Sequence, residues 1–209
     1  MKYSLITLFL SLFCLASSAQ SFEGKVIYNA SYESKIPNLS SEQFTAMAGN
    51  TLNYYMKGGN YRIDCNGTYI NWQIYINGDN KLYNKFSNTD IISWNDGSVN
   101  PDSILSVQLN KGVVEILGYK CDELIFNCKS GIQKYYFTSK FPINSKLYSK
   151  QLYQNWYDYL KRANAVPLKI IIESAQANVV MVATAITSMK LDDAMFTLPA
   201  GAKTVKTTN

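Results

Sequence analysis

Apolar and polar residues alternate with a period of two through most of the chain, as expected of strands with one face buried and the other wet. Over residues 22–32 the even positions Phe22, Val26, Tyr28, Ala30 and Tyr32 are apolar or aromatic, and Glu23, Lys25, Asn29 and Ser31 hold odd ones. Tyr61, Ile63 and Cys65 alternate in the same way with Arg62 and Asp64. The cleanest run is Ile70, Trp72, Ile74 and Ile76, interleaved with Asn71, Gln73 and Tyr75. Asn77-Gly78-Asp79-Asn80 then leads into residues 81–86, which predicts a hairpin. Further strands are predicted over 91–94, 113–117, 119–128, 132–137, 168–174 and 179–191. Turn signals at short, even spacing point to an antiparallel meander.

Two segments break the alternation. Ser40 or Ser41 can cap a short helix through Glu42-Gln43-Phe44-Thr45-Ala46-Met47-Ala48, stopped by Gly49. A longer helix is predicted over 149–162, where Leu152, Trp156 and Leu160 recur at i, i+4 and i+8 with Tyr153 and Tyr157 beside them. Lys161 and Arg162 suit its C-terminal end. That aromatic stripe either packs permanently on the sheet or forms a flap over a cavity.

The aromatic content, 16 Tyr, 9 Phe and 3 Trp, agrees with a β-rich fold. Hydrophobic residues at 47% against 17% charged argue against general disorder. The formal charge of +5 is scattered, with Lys161-Arg162 the densest pair, so a nucleic-acid footprint is not expected. The start reads as a cleaved export signal over 1–19: Lys2, an apolar run over 5–15, then small Ala16, Ser17 and Ala19. Bulky Phe13 before Cys14 argues against lipidation, and the run is shorter than the ~20 residues that span a bilayer. The remainder, 20–209, reads as a single β-rich domain without a transmembrane segment, exported to the periplasm or, as an alternative, to the cell surface or medium.

Three cysteines follow the signal: Cys65, Cys121 and Cys128. On one strand, Cys121 and Cys128 would stand roughly 23 Å apart and on opposite faces, too far for a disulfide. A bond from Cys65 to either stays open. There is no histidine and no Cys-x-x-Cys, so no metal site is expected. No catalytic residue is assigned: Asp122-Glu123 point to opposite faces of a strand, and Asp192-Asp193 sit in a turn. The Asn77–Asn80 loop lacks the spacing of a calcium loop. No nucleotide or phosphate-cradling motif occurs, and no cofactor is expected.

Several pieces carry a resemblance. They are Phe22-Glu23-Gly24-Lys25-Val26-Ile27-Tyr28, Ile116-Leu117-Gly118-Tyr119-Lys120-Cys121, Tyr135-Tyr136-Phe137, Val166-Pro167-Leu168-Lys169, Ala185-Ile186-Thr187 and Phe196-Thr197-Leu198-Pro199-Ala200-Gly201. In this order they resemble exported Gram-negative β-rich proteins of unknown function related to the GLPGLI family and, distantly, the lipoprotein carrier LolA. The naming signature is absent, and Val166-Pro167-Leu168-Lys169 stands roughly where it would fall. The resemblance implies an open, curved antiparallel half-barrel with two helices over its concave face. It also implies a non-enzymatic carrier for a lipid, an acylated protein or another apolar ligand, or alternatively an envelope interaction module with a filled core. Under the carrier reading, Tyr153, Trp156 and Leu160 would meet the ligand from the helix. Val26, Tyr28, Ile63, Trp72, Ile74 and Met181 would meet it from the sheet.

Overall fold

The computed structural model describes residues 21–207; the expected export signal, with Cys14, lies outside the described residues. Six strands come first: β1 (Gly24–Ser34), β2 (Thr51–Lys57), β3 (Asn60–Cys65), β4 (Ile70–Ile76), β5 (Lys81–Phe86) and β6 (Ile92–Asp96). Helix α1 (Ser41–Ala48) interrupts them after β1. A second run holds β7 (Ile104–Ile116), β8 (Tyr119–Cys128), β9 (Gly131–Pro142), β10 (Ala165–Ser174) and β11 (Ala177–Ser188). Helix α2 (Trp156–Ala163) precedes β10, and β12 (Thr204–Lys206) comes last.

The twelve strands of the described residues form one sheet in the order β12-β6-β5-β4-β3-β2-β1-β11-β10-β9-β8-β7. Each run is a meander, and the two are joined because β1 pairs antiparallel with β11, setting Val26 opposite Ile186 and Ala30 opposite Met181. The sheet is open and strongly curved. Ten strand-to-strand steps separate β6 from β7, roughly 48 Å if flat. The Gly97–Ser103 link between them can reach only about 28 Å. The sheet must therefore curl until its two margins approach each other, which makes it a half-barrel.

Both helices lie over the concave face. α1 begins with a capping box in which the Gln43 N–H donates to Ser40 Oγ and the Ser40 N–H donates to Gln43 Oε1. Its Phe44 stacks on Tyr32 at the end of β1. The helix expected over 149–162 is shorter than its periodicity implies. Ser145–Tyr148 and Tyr153–Asn155 are single 3-10 turns, and regular helix starts only at Trp156. Gln154 (φ 55°) and Asn155 (φ 62°) are left-handed, which breaks a helix between Leu152 and Trp156. Leu152 thus leaves the stripe and is 37% exposed, while Tyr159, outside the i, i+4 count, is fully buried.

The convex face is partly covered too. After β11 the chain crosses back over β3 and β4, where the 3-10 turn Asp193–Phe196 packs and buries Phe196. Glu23 Oε1 accepts from the Leu191 N–H, and Lys57 Nζ donates to the Leu191 carbonyl and pairs with Asp193. Cys65, Cys121 and Cys128 are all free thiols. The expected separation of Cys121 and Cys128 onto opposite faces does not hold, since both belong to the main core. Burial along β8 slips between Cys121 and Leu124, opposite a register shift in β7 between Asn110 and Val114.

Candidate functional site

Register fixes which residues share the concave face. Val26 faces Tyr54, Tyr54 faces Ile63, and Ile63 faces Gln73; one row over, Met56 faces Tyr61 and Tyr61 faces Tyr75. On the other side of β1, Ala30, Met181, Ile170, Tyr135 and Leu124 make a continuous cross-strand row. α2 lays Trp156, Tyr159 and Leu160 onto these rows. Tyr159 stacks on Tyr135 at 4.3 Å between centroids, and Trp156 lies 6.1 Å from Tyr61 and 6.4 Å from Tyr54. Tyr61 stacks on Tyr75, and Tyr75 on Tyr148. The concave face beneath α2 is therefore filled by the protein's own rings.

Of the expected ligand contacts, Val26, Tyr28, Ile63, Tyr153, Trp156, Leu160 and Met181 do gather on this face. Val26 and Leu160 are fully buried, and the Tyr28 hydroxyl donates to the Pro167 carbonyl at 2.5 Å. Trp72 and Ile74 do not join them. Their neighbours Gln73 and Tyr75 point inward, so Trp72 and Ile74 occupy the convex face. There the Arg62 guanidinium lies 5.5 Å from the Trp72 ring, and Ile74 pairs across from Arg62 under the C-terminal crossing. Because both faces of β4 are covered, its apolar period does not identify the inner one.

Tyr54, Tyr75, Tyr135, Tyr148 and Tyr159 belong to the site and were not anticipated. A signal was present for Tyr54: Leu52, Tyr54 and Met56 alternate with Asn53 and Lys57 just before Gly58-Gly59. Burial pushes these hydroxyls up, Tyr75 to about 12 and Tyr54 and Tyr159 well above the ordinary tyrosine range. Burial likewise lifts the Cys65 thiol to about 11 and Cys128 to about 12, which leaves both protonated at neutral pH. Polar strain concentrates next to α2. Gln151 Nε2 donates to the Tyr61 hydroxyl at 2.7 Å, but Gln151 Oε1 and Trp156 Nε1 are buried without partners.

Open space lies beside this block. A cleft of about 590 Å³ sits at the mouth of the half-barrel between Tyr153 and the strands β5, β6 and β12. Its floor is an amide ladder: Gln73 Nε2 donates to Asn84 Oδ1 at 2.8 Å, and Asn84 Nδ2 donates to Asn95 Oδ1 at 3.0 Å. Phe86, Tyr153 and Val205 supply apolar walls. A smaller extension of about 90 Å³ continues along Asp96 and Val99. A separate cleft of about 340 Å³ lies just before the start of β1, lined by Phe22, Phe141, Met189, Lys140 and Lys190 among others. Of the expected contacts, only Tyr153 lines any of these three clefts.

The sequence matches no family model and no curated protein. Among solved structures, the chain is similar to an uncharacterised conserved protein from Thermus thermophilus, at 9% identity and a TM-score of 0.50. That match covers 88% of this chain and 91% of the other, and the likeness is one of fold. The chain is also similar to a LolA superfamily protein from Nitrosomonas europaea, at 13% identity and a TM-score of 0.38, over 86% of this chain and 91% of that one. Neither structure is named as a GLPGLI protein, so that resemblance rests on the sequence pieces alone.

Proposed function

We propose that this chain is an exported, non-enzymatic binding protein of the cell envelope, with the periplasm as its compartment. Its ligand is an amphiphile, a lipid or the acyl group of an acylated protein, held at the mouth of the half-barrel. The observation that carries this is the cleft of about 590 Å³, within the ~300–1,000 Å³ range of ligand sites. Phe86, Tyr153 and Val205 suit an apolar chain, and the ladder through Asn84 and Asn95 suits a polar head. The ligand is placed beside α2 and not beneath it, because Tyr159 and Leu160 already fill that space. Among the described residues no helix is long and apolar enough to cross a membrane.

The filled core favours a second reading, an envelope interaction module without a small-molecule ligand. Lipid extraction of natively purified protein followed by mass spectrometry separates the two. Under the carrier reading a lipid co-purifies, and a Phe86→Ala, Tyr153→Ala double variant that still folds loses it. No extractable lipid, together with no binding of a fluorescent fatty acid, would leave the packed module.

A further inference from the structure

Exposed apolar side chains are unevenly spread. Leu105, Val107, Leu109 and Val113 all lie on β7, at 71%, 42%, 48% and 47% exposure. β7 is the outermost strand at one margin of the sheet and pairs only with β8, so its other row of N–H and C=O groups faces no strand. The opposite margin is short and charged: β12 has three residues, including Lys206. Such devices discourage strand addition. β7 runs for thirteen residues, holds no proline, and carries no charge over 104–110.

We infer that β7 is where a second copy of this chain adds, antiparallel and about a two-fold axis, to extend the sheet. A two-fold joint requires the strand to be complementary to itself. Centred on Val107, the joint sets Val107 against its counterpart, Leu105 against Leu109, and Ser106 against Gln108. Apolar meets apolar, polar meets polar, and no charges oppose. The ladder to β8 shifts register between Ile104 and Ser106, at the very end of the Val107 joint, and between Asn110 and Val114, across the centre of a joint on Val113 that would set Lys111 against Glu115. Such a central bulge twists an edge away from pairing, and Lys111 is already held by Asp122 at 2.7 Å.

The Val107 joint also continues the core. Val107 and Leu109 stand across from Phe126 and Leu124, so their side chains prolong the apolar rows of the concave face. The overlap of seven residues, Ile104–Asn110, is roughly 23 Å long, and with a depth of ~10 Å it covers about 230 Å² on each copy. That is well below the ~800 Å² per partner of a standard interface, so the dimer should be weak and concentration-dependent.

Sedimentation equilibrium of the purified protein from about 5 to about 500 µM should show the mass rising toward double the monomer value. Val107→Lys sets like charges face to face and should stay monomeric across that range while melting with the parent. Val107→Cys should oxidise to a linked dimer, because directly opposed residues bring their Cα atoms to ~4.5–5.5 Å, within disulfide range. Val113→Cys should not. A protein that stays monomeric at about 500 µM, or that links through position 113 and not 107, overturns the inference.

Discussion

Tyr159 lies stacked on Tyr135 with ring centroids 4.3 Å apart, and its hydroxyl donates to the Ala165 carbonyl at 2.9 Å. One side chain thus ties α2 to β9 by stacking and to β10 by a hydrogen bond. Tyr159→Ala is expected to cost ~3–5 kcal/mol, as for other buried aromatics. Tyr159→Phe keeps the ring and loses only the bond to Ala165, at ~1–2 kcal/mol. Urea unfolding of both variants checks this. If Tyr159→Ala melted within about 2 °C of the parent, α2 would be a flap and not part of the core.

Trp156 is half-buried against Tyr54, Tyr61 and Tyr159, yet its indole N–H has no partner. An orphaned buried donor costs ~1–3 kcal/mol, and removing it relieves that cost. Trp156→Phe should therefore change stability by less than ~1 kcal/mol in spite of the lost volume. Trp156→Ala, which opens the contact with Tyr54 and Tyr61, should cost ~2–3 kcal/mol, toward the low side for a large aromatic. A loss well above ~1 kcal/mol for Trp156→Phe would show that the indole nitrogen is satisfied by water.

The tyrosine core sets the pH range of the fold. Burial raises Tyr28, Tyr54, Tyr61, Tyr135, Tyr148 and Tyr159 above the ordinary phenol, and Tyr75 to about 12. A raised folded-state value stabilises fully below the unfolded value, near pH 10, and is lost as pH climbs toward the folded one. Each phenol that ionises only in the unfolded chain subtracts ~1.4 kcal/mol per pH unit. With no histidine in the chain, stability from about pH 6 to 8 should be nearly flat; the buried thiols, raised above their unfolded value of about 8.5, begin the loss, and the phenols steepen it above about pH 10. Denaturant titrations across that range test it, and Tyr61→Phe should make the alkaline limb shallower.

The thiols give a second chemical readout. Burial holds Cys65 near 11 and Cys128 near 12, and all three described cysteines are unbonded. At pH 8 the thiolate fraction of Cys65 falls roughly 100-fold below that of an ordinary thiol, so alkylation of the native protein should slow by about that factor. Iodoacetamide labelling followed by peptide mapping measures it. A disulfide joining any two of them would contradict the packing around Cys121 and Cys128.

How far this fold can be read from the chain follows from where the information sits. The boundaries of β8 and β5, and the Ser40 start of α1, are legible because local alternation and capping chemistry determine them. The pairing of β1 with β11 is not, since no nearby residue encodes a partner so distant in the chain. Trp72 and Ile74 mislead because β4 is covered on both faces, by the tyrosines on one and by Asp193–Phe196 on the other. The cleft floor of Asn84 and Asn95 is invisible to hydrophobic patterning, as its residues look like ordinary polar strand positions.

Gln154 and Asn155 illustrate the same limit, and they separate two kinds of backbone strain. Both are left-handed, at φ 55° and 62°, and they form the joint between the 3-10 turn and α2. Gln154 is exposed, so its side chain offsets none of the ~1 kcal/mol that a non-glycine residue loses in this region. Asn155 is 1% exposed: its Oδ1 accepts from Asn100 Nδ2 at 2.6 Å, and its Nδ2 reaches Gln133 Oε1 at 3.4 Å and Cys128 Sγ at 3.5 Å. It thereby pins the Gly97–Ser103 link, which spans the mouth of the half-barrel, to the inner face of the sheet. Glycine relieves the same strain at either position but deletes these bonds at only one. Gln154→Gly should therefore stabilise by ~0.5–1 kcal/mol, and Asn155→Gly should destabilise by ~2–3 kcal/mol. Thermal melts of the two single variants read the difference, and a shift of the same sign in both would mean that Asn155 holds nothing in place.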